Sequence, residues 1–180
     1  MAGYSTGDCD RIAENRVIIV IMGVAASGKS LIAETLARQT GWTMIEADFY
    51  HPPANREKMA GGTPLTNADR MPWIDALGEA IISVEDAPVV VACSALNDGV
   101  RSRLEVAVNG PCHWVLLDVP VDILAERIAA RRDHFMPASL LASQLEALEL
   151  PDNPIRIDGT QVPPDICAAI LQALNERHEQ

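Results

Sequence analysis

Residues 17–22, Val-Ile-Ile-Val-Ile-Met, run directly into Gly23-Val24-Ala25-Ala26-Ser27-Gly28-Lys29-Ser30, and this junction decides the fold. Six apolar residues with no polar alternation read as a strand covered on both faces. The octapeptide that follows has the spacing of a P-loop, a glycine, four residues and then Gly-Lys-Ser. Small residues let successive backbone N–H groups point inward at a polyphosphate, the lysine brings a mobile positive charge, and the serine hydroxyl can ligate Mg²⁺. A helix beginning at Gly28 aims its positive dipole end at the same point. Gly23, Ala25, Ala26, Ser27, Gly28, Lys29, Ser30 and Leu31 are therefore the expected nucleotide cradle, with Ser30 as a metal ligand.

Working outward, short β-rich runs recur at 17–22, 43–47, 88–93, 113–118 and 155–158. Helical patterns fall between them, at 29–39, 68–83, 98–108, 121–132, 137–148 and 164–177. This alternation predicts an α/β fold, a three-layer αβα sandwich around a five-stranded parallel sheet. Ligands in such folds bind at the carboxyl ends of the strands. That rule selects the P-loop after Met22, Asp48 with His51, Cys93-Ser94-Ala95, and Asp118. The segment 51–72 carries Pro52, Pro53, Gly61, Gly62, Pro64 and Pro72 and shows no period, so it is expected to be a long functional loop.

The 180 residues suffice for one domain, expected over 16–180 behind a loose extension at 1–15. Net charge is −11, from 14 Lys and Arg against 25 Asp and Glu, which disfavours nonspecific binding to nucleic acid or anionic membranes. The four cysteines form no C-x-x-C pair and suggest neither a zinc site nor a disulfide framework. No apolar run approaches the ~20 residues of a membrane span. The first fifteen residues lack the apolar segment of a signal peptide. A reducing, cytoplasmic setting is the expectation, with small-molecule partners.

An acidic protein that binds an anionic nucleotide must concentrate its cations at the site. Lys58 and Arg70 lie in the 51–72 segment, Arg101 and Arg103 open the helix after Cys93-Ser94-Ala95, and Arg127, Arg131 and Arg132 end another helix. Arg127 and Arg131 stand one turn apart on one face. Two helices joined through His134-Phe135-Met136-Pro137 and loaded with arginine look like a helical lid over about 127–148, able to exclude water from the phosphates. Asp48, at the tip of its strand, is placed to take a proton from a substrate hydroxyl or to help hold Mg²⁺. Asp118 competes for the metal role but also fits a helix cap. Trp73 is expected to pack beneath the substrate segment.

These blocks together resemble the gluconokinases, small-molecule kinases of the P-loop class. The resemblance rests on Gly23 to Ser30, on His51-Pro-Pro-Ala-Asn55-Arg-Glu-Lys58-Met59 after Asp48, and on Gly62-Thr-Pro64 through Asp69-Arg70-Met-Pro72-Trp73. Ala92-Cys93-Ser94-Ala95-Leu96 and Arg131-Arg-Asp-His134-Phe135-Met136-Pro137 through Ser143-Gln144 complete it. It implies ATP-dependent phosphorylation of D-gluconate at the 6-hydroxyl on a nucleoside-monophosphate-kinase-like fold, with ATP and Mg²⁺ as cofactors and a homodimeric assembly. Carried over position by position, it gives Lys29, Asp48, Arg127 and Arg131 catalytic roles. Asp48, His51, Lys58, Arg70, Arg101 and His134 would hold the sugar acid, Arg127 would also serve the nucleotide, and Ser30 with Asp48 would serve the metal.

The chain departs from that pattern in places. Ala25-Ala26 replaces the usual Ser-Gly, Leu31 replaces a smaller residue or Thr, Asn67 stands where Asp is common, and Asn97 stands where a basic residue usually follows Ser-Ala-Leu. Alanine lacks glycine's freedom at positive φ, so a left-handed turn at residue 26 would carry strain. Two other readings stay open at this point. One is a sister kinase for another anionic alcohol, such as shikimate or a different sugar acid. The other is a nucleotide-dependent switch without turnover, although no Asn-Lys-x-Asp guanine motif is present.

Overall fold

The apolar run before the P-loop becomes β1 (Ile18–Met22), buried along its whole length. A strand with no polar face needs cover on both sides, and this one has it. In the computed structural model, which describes residues 17–85, 88–130 and 138–178, β1 lies at the centre of a five-stranded parallel sheet ordered β2-β3-β1-β4-β5. The elements run β1, α1 (Lys29–Thr40), β2 (Thr43–Glu46), a 3₁₀ turn (Ala47–Tyr50), α2 (Pro53–Ala60), α3 (Asn67–Ile82) and β3 (Val89–Ala92). They continue with α4 (Asp98–Val108), β4 (His113–Asp118), α5 (Val121–Ala130), α6 (Ala138–Glu146), β5 (Ile155–Asp158) and α7 (Pro163–His178).

The pleat sends alternate β1 residues to opposite faces. Ile19 and Ile21 meet Ile32 and Leu36 of α1 and Ile170 and Leu174 of α7. Ile18, Val20 and Met22 meet Ile74, Leu77 and Ile81 of α3 and Leu104 of α4. Each fully buried side chain of this kind contributes about 1.5–3 kcal/mol, so the two layers fix the sheet and with it the strand ends. On the α3 side, Gly78 lets α4 approach so closely that a Cβ at Gly78 would stand 2.5 Å from the Ala107 Cβ. A third, smaller cluster of Val24, Ala26, Val119, Leu124 and Leu141 lies at the carboxyl end of the sheet, against the P-loop itself.

All five expected strands are present, most of them trimmed by a residue at one or both ends. The expected loop at 51–72 needs correction, because it contains the whole of α2 and the start of α3. Periodicity missed α2 because just one of its eight residues, Asn55, is buried, so there is no apolar stripe to count. Pro53 at its first position and Gly61 at its end were the available signals. At α3, Thr66 and Asp69 form a reciprocal capping box, and Asn97 caps α4 by accepting from the Val100 N–H. The expected extension at 1–15 lies outside the described residues. So do Arg131, Arg132 and the His134-to-Pro137 block, so the described part of the lid region is α5 and α6.

Candidate active site

The P-loop turns through three positive-φ residues, Gly23 (φ 140°), Ala26 (φ 62°) and Gly28 (φ 101°). The two glycines adopt this freely, whereas Ala26 is held in the left-handed region that disfavours a Cβ. Gly28 caps α1 with no side-chain hydrogen bond, and no acidic residue sits in the first turn. Both α3 and α4, by contrast, carry side-chain caps. No capping side chain therefore competes with an anion at the start of α1, which is the condition for phosphate to fit here. The Lys29 ammonium donates to the Val24 carbonyl at 3.0 Å, which keeps it over the loop's own mouth. Ser27 is buried, and its Oγ has no hydrogen-bond partner among the described residues.

Asp48 is exposed on the 3₁₀ turn that ends β2. β3 lies between β2 and β1, so Asp48 and the P-loop are two strand spacings apart, about 10 Å. That gap suits a small acceptor between carboxylate and phosphate. The fields of both sides meet at Cys93, at the end of β3. Burial pushes its thiol up to about 12, the Asp48 and Glu46 carboxylates push the same way, and the Lys29 ammonium opposes them.

The acceptor side is built around His51. Its ring stacks on Trp73 with centroids 4.0 Å apart, and the Trp73 indole N–H donates to the Ala47 carbonyl at 2.7 Å. Trp73 therefore does pack beneath this segment, as expected. The Asn55 amide, itself buried, donates to the Asp69 carbonyl at 2.8 Å and lies 3.4 Å from His51 Nδ1. With Asn55 Nδ2 as donor, His51 Nδ1 accepts and the ring proton rests on Nε2. Burial lowers the His51 pKa, Asp48 works against this, and Arg56 and Arg70 add to it. The imidazole is thus kept neutral, with one N–H donor fixed in direction.

The structure gathers the sequence-selected cations unevenly. Lys58 Nζ pairs with Asp69 Oδ1 at 2.6 Å, and Arg70 Nη1 donates to Asn67 Oδ1 at 3.0 Å. Both flank His51. Arg127 Nη1 reaches the Ala26 and Ser27 carbonyls, each at 3.4 Å, and its Nη2 donates to Gly159 O at 3.0 Å. It therefore ties the P-loop to the turn after β5. Arg101 is 3% exposed, and its Nη1 donates to Ala95 O at 3.0 Å and Glu149 O at 2.7 Å. Arg103 is bonded bidentately to Asp75 across α3 and α4. Asp118 is paired with Arg156, and Arg131 and His134 lie outside the described residues. Sequence reasoning passed over Arg56, which donates to His51 O at 3.0 Å and Phe49 O at 2.8 Å and so clamps the turn that carries Asp48. Its bonds go to backbone, which no motif records.

No group of three or more His, Cys, Asp or Glu capable of holding a metal exists among the described residues. A divalent cation at this site would draw on few protein ligands plus phosphate oxygens, which is the habit of Mg²⁺. A family model described as an AAA domain matches residues 18–151. The gluconokinase of Gluconobacter oxydans is 42% identical over 161 residues, covering 86% of this chain and 89% of that protein. A protein of Xenopus tropicalis named as a probable gluconokinase is 38% identical, covering 89% and 93%. The chain belongs to the gluconokinase family. A crystal structure of a gluconokinase from Sinorhizobium meliloti superposes on it with a TM-score of 0.80 at 40% identity, covering 91% of this chain and 96% of that one. The parallel-sheet P-loop kinase architecture expected from the sequence is therefore the gluconokinase architecture. Gluconokinase relatives match this chain through both the P-loop and the Asp48-to-Trp73 region that the geometry brings together.

Proposed function

We propose that this chain transfers the γ-phosphoryl group of ATP to the 6-hydroxyl of D-gluconate, giving 6-phosphogluconate and ADP. The observation that carries the reading is the pairing of two half-sites at the carboxyl ends of β1 and β2, with β3 between them. One is an uncapped helix N-terminus behind Lys29, built for polyphosphate. The other is the neutral, oriented His51 beside Asp48, Lys58 and Arg70, suited to a small polyhydroxy carboxylate. Relatives at 38–42% identity that carry the gluconokinase name favour this acceptor over shikimate and favour turnover over a silent switch.

Asp48 accepts the proton of the 6-hydroxyl as its oxygen attacks phosphorus, and the bond from the γ-phosphorus to the β,γ-bridging oxygen breaks. His51 Nε2–H and the Lys58 and Arg70 cations hold hydroxyls and carboxylate, so that the 6-hydroxyl alone faces the P-loop. Lys29 follows the charge that develops on the transferred group, Arg127 and Arg131 serve the nucleotide as the family resemblance implies, and His134 serves the sugar acid on the same ground. Ser30 would hold Mg²⁺ together with phosphate oxygens, with Asp48 as a further candidate ligand, and the ion would supply neutralisation of polyphosphate charge. No described helix is long and apolar enough to cross a membrane, and we place the enzyme in the cytoplasm as a homodimer, a stoichiometry that light scattering measures.

The deciding assay is ADP release from MgATP with gluconate, shikimate or glucose. Gluconate is expected to stimulate release strongly and the other two weakly. Equal release with and without gluconate overturns the reading.

A further inference from the structure

Two alanines among the described residues have left-handed backbone, Ala26 at φ 62° and Ala95 at φ 44°. Each sits in the turn that leaves a neighbouring central strand, β1 or β3, and the Gly23 N–H reaches Ser94 O at 3.4 Å between those turns. Such backbone is disfavoured for any residue with a Cβ and persists where the surroundings over-determine it. Both turns are held by the same nine residues, Leu141 to Glu149.

At the nucleotide end, Gln144 Oε1 accepts from the Ala25 N–H at 2.6 Å. Leu141 packs with Val24 and Ala26 in the cluster under the P-loop. At the acceptor end, the Glu149 N–H donates to Leu96 O at 2.8 Å, and Glu149 Oε2 accepts from the Asp98 N–H at 2.7 Å. The buried Arg101 guanidinium then bridges Glu149 O to Ala95 O. The bonds made by Gln144 and Glu149 span from 48 to 119 residues of sequence and belong to tertiary structure, while the Arg101 bond to Ala95 O links the turn to the helix that follows it.

We propose that residues 141–149 act as a brace that sets the two turns together, with Gln144 as a positioning residue for the phosphate loop and Arg101 as one for the acceptor loop. Arg101 then serves gluconate through Ala95 and not by contact. The acceptor half rests on the function proposed above, and the nucleotide half does not. A glycine at either turn removes the conformational conflict, so a brace should matter less where its own turn carries glycine.

The test is a pair of double-mutant cycles read as separate KM values. Gln144→Leu keeps the bulk and loses the acceptor. It should raise the KM for ATP about fivefold to tenfold, the effect of one lost, partly buried hydrogen bond, while the KM for gluconate stays within about twofold. Adding Ala26→Gly should return most of the loss, whereas Ala95→Gly should return none. Arg101→Lys should raise the KM for gluconate selectively, with rescue by Ala95→Gly. If Arg101→Lys does not fold, the Gln144 cycle decides alone, with calorimetric titration of a non-hydrolysable ATP analogue as its readout. That titration also separates failure of the brace from failure of the gluconate reading. Additive effects in the Gln144 cycle, or equal loss for both substrates, overturn the proposal.

Discussion

Asn55→Ala tests the acceptor half of the site with a loss that can be worked out from its bonds. The amide gives one good hydrogen bond, to Asp69 O at 2.8 Å, and one long one, to His51 Nδ1 at 3.4 Å. The first contributes about 0.5–1.5 kcal/mol net and the second belongs at the bottom of that range. Truncation also leaves a void of a few tens of Å³, which at about 24 cal/mol per Å³ adds roughly 0.5–1 kcal/mol. The sum is about 1.5–3 kcal/mol, or a Tm lower by roughly 3–12 °C in a domain of this size. His51 also loses the donor that fixes its tautomer, so Nε2 ceases to be a dependable donor. The KM for gluconate should therefore rise about tenfold, equivalent to about 1.4 kcal/mol, with the KM for ATP little changed. Thermal melts and coupled ADP release measure both. Asn55→Asp restores the size but puts carboxylate oxygen where the donor was, so it should do at least as much harm and raise the His51 pKa. A variant with the lower Tm and an unchanged KM for gluconate would show that Asn55 only packs, and the orientation of His51 would need another cause.

Three further outcomes follow from the geometry. Gly78→Ala forces a Cβ to within 2.5 Å of the Ala107 Cβ. Overpacking of about 1–3 kcal/mol should outweigh the ~1 kcal/mol helix-propensity gain, so urea unfolding should show a net loss, and a more stable variant would refute the close α3–α4 approach. Asp48→Asn should lower kcat about 10²–10⁴-fold with the fold intact by circular dichroism, and near-normal kcat would remove Asp48 from proton transfer. The third concerns pH. Burial holds the His51 pKa below 6.5, so the unfolded chain takes up that proton first as pH falls. The stability from neutral His51 is complete above about 6.5 and is lost as pH drops toward the lowered folded value. Asp69, held at about 2 by Lys58 and Thr66, titrates below this window. Urea melts between pH 7 and 5 should show a slope that His51→Gln abolishes.

What could be read from the sequence follows from how local each signal is. The central strands β1 and β3 were legible because parallel strands with both faces covered are unbroken apolar runs, the edge strand β5 because Ile155 and Ile157 alternate with exposed Arg156 and Asp158, and the P-loop because its spacing is a continuous peptide. α2 was not, since its one buried residue is a polar one, Asn55. The conflict at Ala26 could be foreseen from a missing glycine, but Ala95 carried no such mark. Arg101 looked like a free cation at a strand end, and its burial became visible only when Glu149 arrived from 48 residues away. Asn97, where the family has a basic residue, became a helix cap. Gln144 carried no spacing signal toward Ala25, 119 residues earlier.

The position of β1 in the sheet also sets an order of events during synthesis. Its hydrogen-bonding edges belong to β3 and β4 and not to the β2 made next, with Ile18 paired to Val89 and Ile19 to His113. The most apolar strand of the nascent chain therefore waits with both edges unpaired until β3 is made, about halfway along the chain, and with one edge open until β4 follows, and pairings at such separations close slowly. Open strand edges are where chains associate wrongly, so refolding yield should fall with protein concentration. A chain cut short before His113 leaves β1 with an open edge, and its phosphate loop goes unbuilt even though every residue of that loop is present.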